Sequence, residues 1–132
     1  MGKPRDAAAN AMAAEYLKRL DRFARCEMRE IHPARFDLRA KHPSAVKVLL
    51  DPAGKVFDSS GFAAWIGKAE FESRDLAFVV GGAEGLPAGW SQRADMLLSL
   101  SAMTYPQELA RVMLAEQIYR AFTILRGHPY PK

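Results

Sequence analysis

Three groups of residues have types and spacing that could do chemistry. The first is the run Ala77-Phe78-Val79-Val80-Gly81-Gly82-Ala83-Glu84-Gly85. Its apolar stretch is too short for a helix and runs into two glycines, so it reads as a buried strand ending where backbone must come close to something else. The second is Met96-Leu97-Leu98-Ser99-Leu100 followed by Ser101-Ala102-Met103-Thr104-Tyr105-Pro106, small and polar groups at the tip of another buried strand. Ligands of open α/β sheets sit in the crevice outside the carboxyl ends of strands, so two adjacent tips of this kind propose one binding site. The third is the tail Arg126-Gly127-His128-Pro129-Tyr130, which sets an imidazole, a stiff link and an aromatic ring directly after a helix cap. A ring with a polar tip suits stacking on a nucleobase, with packing back onto the core as the alternative.

Several familiar chemistries are excluded by spacing. The glycine run lacks the G-x-G-x-x-G spacing of a dinucleotide site, and no Gly-Lys-Ser/Thr follows to make a phosphate loop. On local pattern alone, a tight turn and a ligand loop both remain open for it. No Gly-x-Ser-x-Gly elbow exists for acyl transfer. His32, His42 and His128 have no metal-site spacing, and Cys26 has no partner cysteine, so no metal is expected. Glu108 with Arg111 and Glu116 with Arg120 are spaced as ordinary helix ion pairs.

The elements that must position these groups fit one domain spanning residues 1–132. A chain of that length buries roughly two-thirds of its unfolded surface, enough for a core without staples. With 49% apolar and 26% charged residues, the composition is that of a soluble globular protein. No apolar run approaches the ~18 residues of a membrane span. The single cysteine excludes an intrachain disulfide, and neither a leader peptide nor a myristoylation signal is expected at the start, which makes the cytoplasm the expected compartment. Net charge is +4, and the surplus lies wholly in residues 1–41, with ten Lys/Arg against six Asp/Glu. That asymmetry permits a polyanionic partner such as RNA, and equally describes a solvated helix face.

Periodicity predicts a helix from Asp6 to Arg25 with Ala13, Leu17, Leu20 and Ala24 inward and Lys18, Arg19, Arg22 and Arg25 outward. A short strand over Glu27–Ile31, a loop from His32 to Ser44 and a strand over Ala45–Leu50 follow, the last closed by the turn Asp51-Pro52-Ala53-Gly54. Ser59 or Ser60 is expected to cap a helix to about Glu72 that buries Phe62, Trp65, Ile66 and Ala69. After the Gly81 strand, Pro87 opens a short helix to Ala94, and after the Met96 strand a long helix runs from Gln107 to Arg126, ended by Gly127. Strands alternating with helices predict an α/β fold, a mostly parallel sheet with helices on both faces. The last helix is apolar on more than one face, which suits either a second subunit or deep burial in its own domain.

Taken together, Phe78 to Gly85, Leu100 to Thr104, Pro106-Gln107-Glu108-Leu109-Ala110-Arg111-Val112, Glu116-Gln117-Ile118-Tyr119-Arg120-Ala121 and His128-Pro129-Tyr130 resemble the RlmH family, SPOUT-superfamily methyltransferases of large-subunit (23S) rRNA pseudouridine. Glu15 to Leu20 and Leu50 to Lys55 extend the resemblance over most of the chain. It implies a SPOUT fold with a C-terminal trefoil knot, a homodimer, and S-adenosylmethionine as methyl donor to N3 of a pseudouridine on the assembled ribosome. It further implies cofactor contacts at Leu50, Gly81, Leu100, Ser101, Ala102, Met103, Thr104 and Tyr105, nucleotide-holding roles for Arg120 and Tyr130, and for His128 help with deprotonation or orientation of the base. Against the family pattern, a strand ahead of Gly2-Lys3 and a helix between Ile31 and Ala45 are expected to be lacking, and Pro131 stands where the family has a final histidine. Two other readings compete: a non-catalytic RNA- or ribosome-binding relative, and a small-molecule nucleotide-binding domain.

Overall fold

The computed structural model describes residues 7–28, 44–81 and 89–130. Its elements run α1 (Ala7–Leu20), β1 (Val46–Val56), α2 (Ser59–Phe71), β2 (Leu76–Val79), α3 (Trp90–Arg93), β3 (Met96–Ser99) and α4 (Gln107–Arg126). β1 lies at the centre of a three-stranded sheet in the order β2-β1-β3, and both pairings are parallel. The alternation of strand and helix thus gave the right sheet type, because parallel neighbours need a crossover between them.

Alternation along the strands splits the core into two faces. Val48, Phe78 and Leu98 face a cluster with Leu20, Phe62, Ile66, Leu114, Tyr119 and Phe122, contributed by α1, α2 and α4. Leu49 and Val79, one residue on, face the other side with Trp90 and Leu97. The sheet is therefore covered on both faces, as its near-continuous apolar strands require. At its amino end the sheet is pinned by Val46 N donating to Asp75 O at 2.8 Å, Lys47 N to Asp95 Oδ2 at 2.7 Å, and Asp95 N to Lys47 O at 2.8 Å. The buried Lys47 ammonium donates to Ala45 O at 2.8 Å.

α4 is the longest element and is matched to the residue by the periodicity reading. Its broad apolar surface is used within the chain: Val112 packs with Ala9 and Ala13 of α1, while Leu114, Tyr119, Ala121 and Phe122 join the main core. Leu109 and Ile124 stay exposed. Glycine ends the helix as expected. Gly127 takes the left-handed conformation (φ 64°), with its N–H on Ile124 O at 3.3 Å and the His128 N–H on Thr123 O at 2.9 Å. That cap turns the chain back along α4, which decides where the tail goes.

Four local expectations change. α1 stops at Leu20, and the chain continues through a turn that still buries one side of Phe23 and Ala24. Asp58, rather than a serine, caps α2, its carboxylate accepting from Gly61 N at 2.7 Å; a carboxylate also suits the positive end of the helix. β1 does not end at Leu50: Leu50 and Lys55 both pair with Leu98, and Asp51–Gly54 is a bulge inside a strand that resumes to Val56. The short helix begins at Trp90. Glu27 and Met28 are irregular, and the rest of that expected strand, the His32–Pro43 part of the loop, Gly82–Gly85, Pro87, Pro131 and the positions of the family's extra strand and helix lie outside the described residues.

Candidate active site at two ends of one core

The strand register brings the first group of candidates together. Leu49 pairs with Val79 and Leu50 with Leu98, so Gly81 and Leu100, just past the carboxyl ends of β2 and β3, lie on either side of the central β1 near Leu50, where its regular pairing breaks into the bulge. Two backbones meet unusually closely there. A Cβ at Gly54 would lie 2.5 Å from the carbonyl carbon of Leu97 and 2.6 Å from its oxygen, a position no side chain can take. Asp51 stabilises the bulge by accepting from Ala53 N at 2.8 Å. Gly54 is thus required for close approach, a role its place in an Asp-Pro-Ala-Gly turn concealed; glycine inside a resumed strand pattern is the signal that could have found it.

The segment after β3 is braced by side chains. Ser99 Oγ donates to Ser101 O at 2.8 Å, and Met103 N donates to Ser101 Oγ at 3.0 Å. Among the described residues, no backbone–backbone hydrogen bond ties down Ala102, Thr104 or Tyr105. The Met103 side chain is 72% exposed. This tip therefore offers free main-chain donors and acceptors beside an apolar side chain.

The second group assembles on the other side of the core. Glu116, Tyr119 and Arg120 share one face of α4 at helical spacing, and Tyr16 and Arg19 share the facing side of α1, with Phe23 in the turn that follows it. The returning tail lays Tyr130 between them. Its ring meets Tyr119 edge-on at 4.8 Å between centroids, and the Arg120 guanidinium sits 4.9 Å from its centre. Its hydroxyl donates to Glu116 Oε2 at 3.1 Å and lies 3.4 Å from the Tyr16 hydroxyl. Arg120 Nε donates to the same Glu116 oxygen at 3.0 Å. Burial, then the bonds to Tyr16 and Glu116, pushes the Tyr130 phenol well above its ordinary value, and the Glu116 bond raises Arg120. Both groups therefore hold their protons throughout the physiological range.

His128 is fixed differently. Arg22 Nη1 lies 3.3 Å from its Nε2, and Phe23 packs edge-on at 5.9 Å. A guanidinium only donates, so Nε2 must accept and the ring proton sits on Nδ1, which is buried without a partner among the described residues. Arg22 and Phe23 thus set the orientation of the His128 ring. Arg111 donates from Nη2 to Asn10 Oδ1 at 2.7 Å and so ties α4 to α1.

The structure thus brings Leu50, Gly81 and the Leu100–Tyr105 segment together, and separately Arg120, His128 and Tyr130. Leu50 and Tyr130 both pack on the main core, yet no hydrogen bond, ion pair or ring contact among the described residues joins the two groups. Sequence reasoning took Glu116 for half of an ordinary helix ion pair, set Tyr16 beside the inward face of the first helix and Arg22 on its outward face, and assigned neither to the site; the i, i+3, i+4 set on α4 was a visible signal for Glu116, whereas the α1 contacts depend on which helices pack. Among the described residues there is no group of three or more His, Cys, Asp or Glu suited to a metal, and no helix long and apolar enough to cross a membrane.

Known proteins resemble this chain over nearly its whole length. A family model described as "Predicted SPOUT methyltransferase" matches residues 1–131. The chain is 62% identical over 130 residues to the ribosomal RNA large subunit methyltransferase H of Solibacter usitatus, covering 98% of this chain and 94% of that protein. It is 41% identical over 143 residues to the protein of the same name from Gloeobacter violaceus, covering 98% and 93%, and 42% identical over 132 residues to that from Chromobacterium violaceum, covering 88% and 85%. With a family model spanning almost every residue and relatives this similar over their whole length, the chain belongs to the SPOUT methyltransferase family.

Proposed function

We propose that the protein transfers a methyl group from S-adenosylmethionine to N3 of a pseudouridine in large-subunit (23S) rRNA on the assembled ribosome. The observation that carries this reading is that Gly81 and Leu100, at the carboxyl ends of β2 and β3, flank Leu50 at the bulge of the central β1 in a chain of this family. The names of the relatives support an rRNA substrate.

In this reading Leu50, Gly81, Leu100, Ser101, Ala102, Met103, Thr104 and Tyr105 hold the donor. The residues suit an adenosyl group: the unbonded main chain of Ala102, Thr104 and Tyr105 matches the polar edge of adenine, and Leu50 and Met103 offer apolar surface to its faces. When bound, the donor supplies an electrophilic methyl on a sulfonium. The protein's share is orientation and proton management, since the acceptor nitrogen must lie in line with that methyl and lose its proton before or during attack. Arg120 and Tyr130 hold the nucleotide, Arg120 keeping Nη1 for an acceptor on the base or phosphate while Nε and Nη2 stay on Glu116. His128 orients.

The reading includes the family's C-terminal trefoil knot and a homodimer in the cytoplasm. The absence, among the described residues, of a direct link between the strand-end group and the tail group suits a site in which one subunit holds the donor and the other's tail the RNA. Incubation of the full chain and saturating S-adenosylmethionine with ribosomes from a strain lacking its own enzyme tests the proposal. Methyl incorporation at a single large-subunit pseudouridine is the expected result; ribosome binding without transfer would replace it by a non-catalytic role.

A further inference from the structure

We infer that Glu116 is the positioning residue of the nucleotide-holding end, one carboxylate that locks Arg120 and the tail Tyr130 into a single unit. This deepens the function proposed above and rests on it for the meaning of Arg120. The geometry is specific. Glu116 Oε2 accepts from Arg120 Nε at 3.0 Å and Arg120 Nη2, and from the Tyr130 hydroxyl at 3.1 Å. Arg120 in turn sits 4.9 Å from the centre of the Tyr130 ring, so each of the three groups touches both others.

Each contact removes a freedom the others leave. Arg120 alone has several staggered rotamers; two of its donors on one carboxylate oxygen restrict them, and the Tyr130 ring closes one face of the plane. Tyr130 stands four residues past the end of α4, beyond the reach of the helix's own hydrogen bonds. Its hydroxyl reaches back fourteen positions to Glu116. Gly127 aims the tail and Tyr119 supports it edge-on, but Glu116 is, among the described residues, the one charged acceptor for both the tail and the arginine. The side chain of Glu116 is 18% exposed, which shields this anchor from competition by water. Spent on Glu116 at two positions, Arg120 presents its remaining Nη1 edge in one direction. A nucleotide acceptor then meets a preset donor instead of a mobile cation.

The closing experiment has an arm that reads activity and an arm that does not. In the first, kcat and KM for methyl transfer to unmodified ribosomes are measured for Glu116→Ala, Glu116→Gln, Arg120→Ala and the Glu116→Ala/Arg120→Ala double variant. Glu116→Ala is expected to lower kcat about 30-fold and Arg120→Ala about 100-fold, with the double variant within about twofold of Arg120→Ala, since groups acting as a unit are non-additive. Glu116→Gln, which keeps size and one acceptor, recovers part of the loss, and the affinity for S-adenosylmethionine stays within about twofold throughout. Multiplying losses, or a Glu116→Ala effect that appears only as weaker cofactor binding, overturns the assignment. In the second arm the four tyrosines carry fluorine labels, Tyr130 is assigned by Tyr130→Phe, and its ¹⁹F resonance is followed in Glu116→Gln and Glu116→Ala. Displacement towards the solvent position is expected; an unmoved resonance shows that Glu116 does not hold the tail. If the unaltered chain transfers no methyl, the functional reading falls, and the fluorine arm still decides whether Glu116 positions Tyr130.

Discussion

Around Gly54 the β1 and β3 backbones approach so closely that one added carbon would land 2.5 Å from Leu97, whereas around Glu116 the side chains of α1, α4 and the tail meet one another. The first end is shaped by main chain. Its Leu50, Gly81 and Leu100 positions are set by parallel register and by a bulge, and its available bonding groups are peptide ones. The second is shaped by head groups: a carboxylate, a guanidinium and three tyrosine rings within reach of one another. A donor common to a whole enzyme class suits recognition by backbone, which changes little when residues are exchanged. A nucleotide in one RNA context suits recognition by charged side chains that point in set directions.

The sharpest way to break this comparison is Gly54→Ala. Overpacking of main chain against main chain cannot be relieved by a rotamer change, so a loss of about 3 kcal/mol or more is expected, with S-adenosylmethionine no longer raising the melting temperature. A thermal melt with and without the donor reads both; a variant that melts within a degree of the parent and keeps the donor shift would remove the close approach from the account.

Arg120→Ala tests the other end. It should lower kcat/KM roughly tenfold to hundredfold while leaving the donor shift intact, so equal damage to both readouts would show that the two ends are not separable. Asp58 belongs to neither end, because it caps the helix that supports both. Asp58→Ala should cost about 1 kcal/mol of stability in a denaturant melt and leave kcat and donor affinity near those of the parent at low temperature.

Two pH effects are smaller and opposite in sign. The Tyr130 phenol is held above its ordinary value of 10.0, so its contribution is complete below pH 10 and is lost as pH rises through the higher folded value. Tail release under alkaline conditions, seen as faster proteolysis after Arg126 than inside α4, is the expected sign. Glu70 is held below its ordinary 4.5 by the Arg126 hydrogen bond between α2 and α4, so that contribution is complete above pH 4.5 and fades as pH falls below it. Both partners are more than a third exposed, and screening limits the pair to about 0.2–1 kcal/mol, which Glu70→Gln should remove at pH 7.

What could be read in advance follows from how far each interaction reaches along the chain. α4 from Gln107 to Arg126 and its Gly127 cap were legible because helix period, length and cap all lie within neighbouring residues. That Gly81 and Ser101 follow strand ends was legible for the same reason. Asp58 was misread in favour of the adjacent serines, since a carboxylate and a hydroxyl one residue apart make equal local claims to a cap and only the helix start decides between them. Asp51–Gly54 was read as the end of a strand because nothing local distinguishes a terminal turn from a bulge.

By itself, then, the sequence determined the kinds and order of the described elements, apart from the strand expected at Glu27–Ile31, the parallel sheet and, through the family resemblance, the methyltransferase identity and the residues to watch. Tertiary structure alone decided that β1 is central, that Gly54 must be glycine because β3 crosses it, that Arg22 takes the lone pair of His128, and that Tyr130 ends on Glu116 rather than in solvent. The division has a physical cause. Periods of two and 3.6 residues, caps and turns are written over short stretches, while the partner of a given atom is chosen by which surfaces bury each other, a choice made over the whole chain at once.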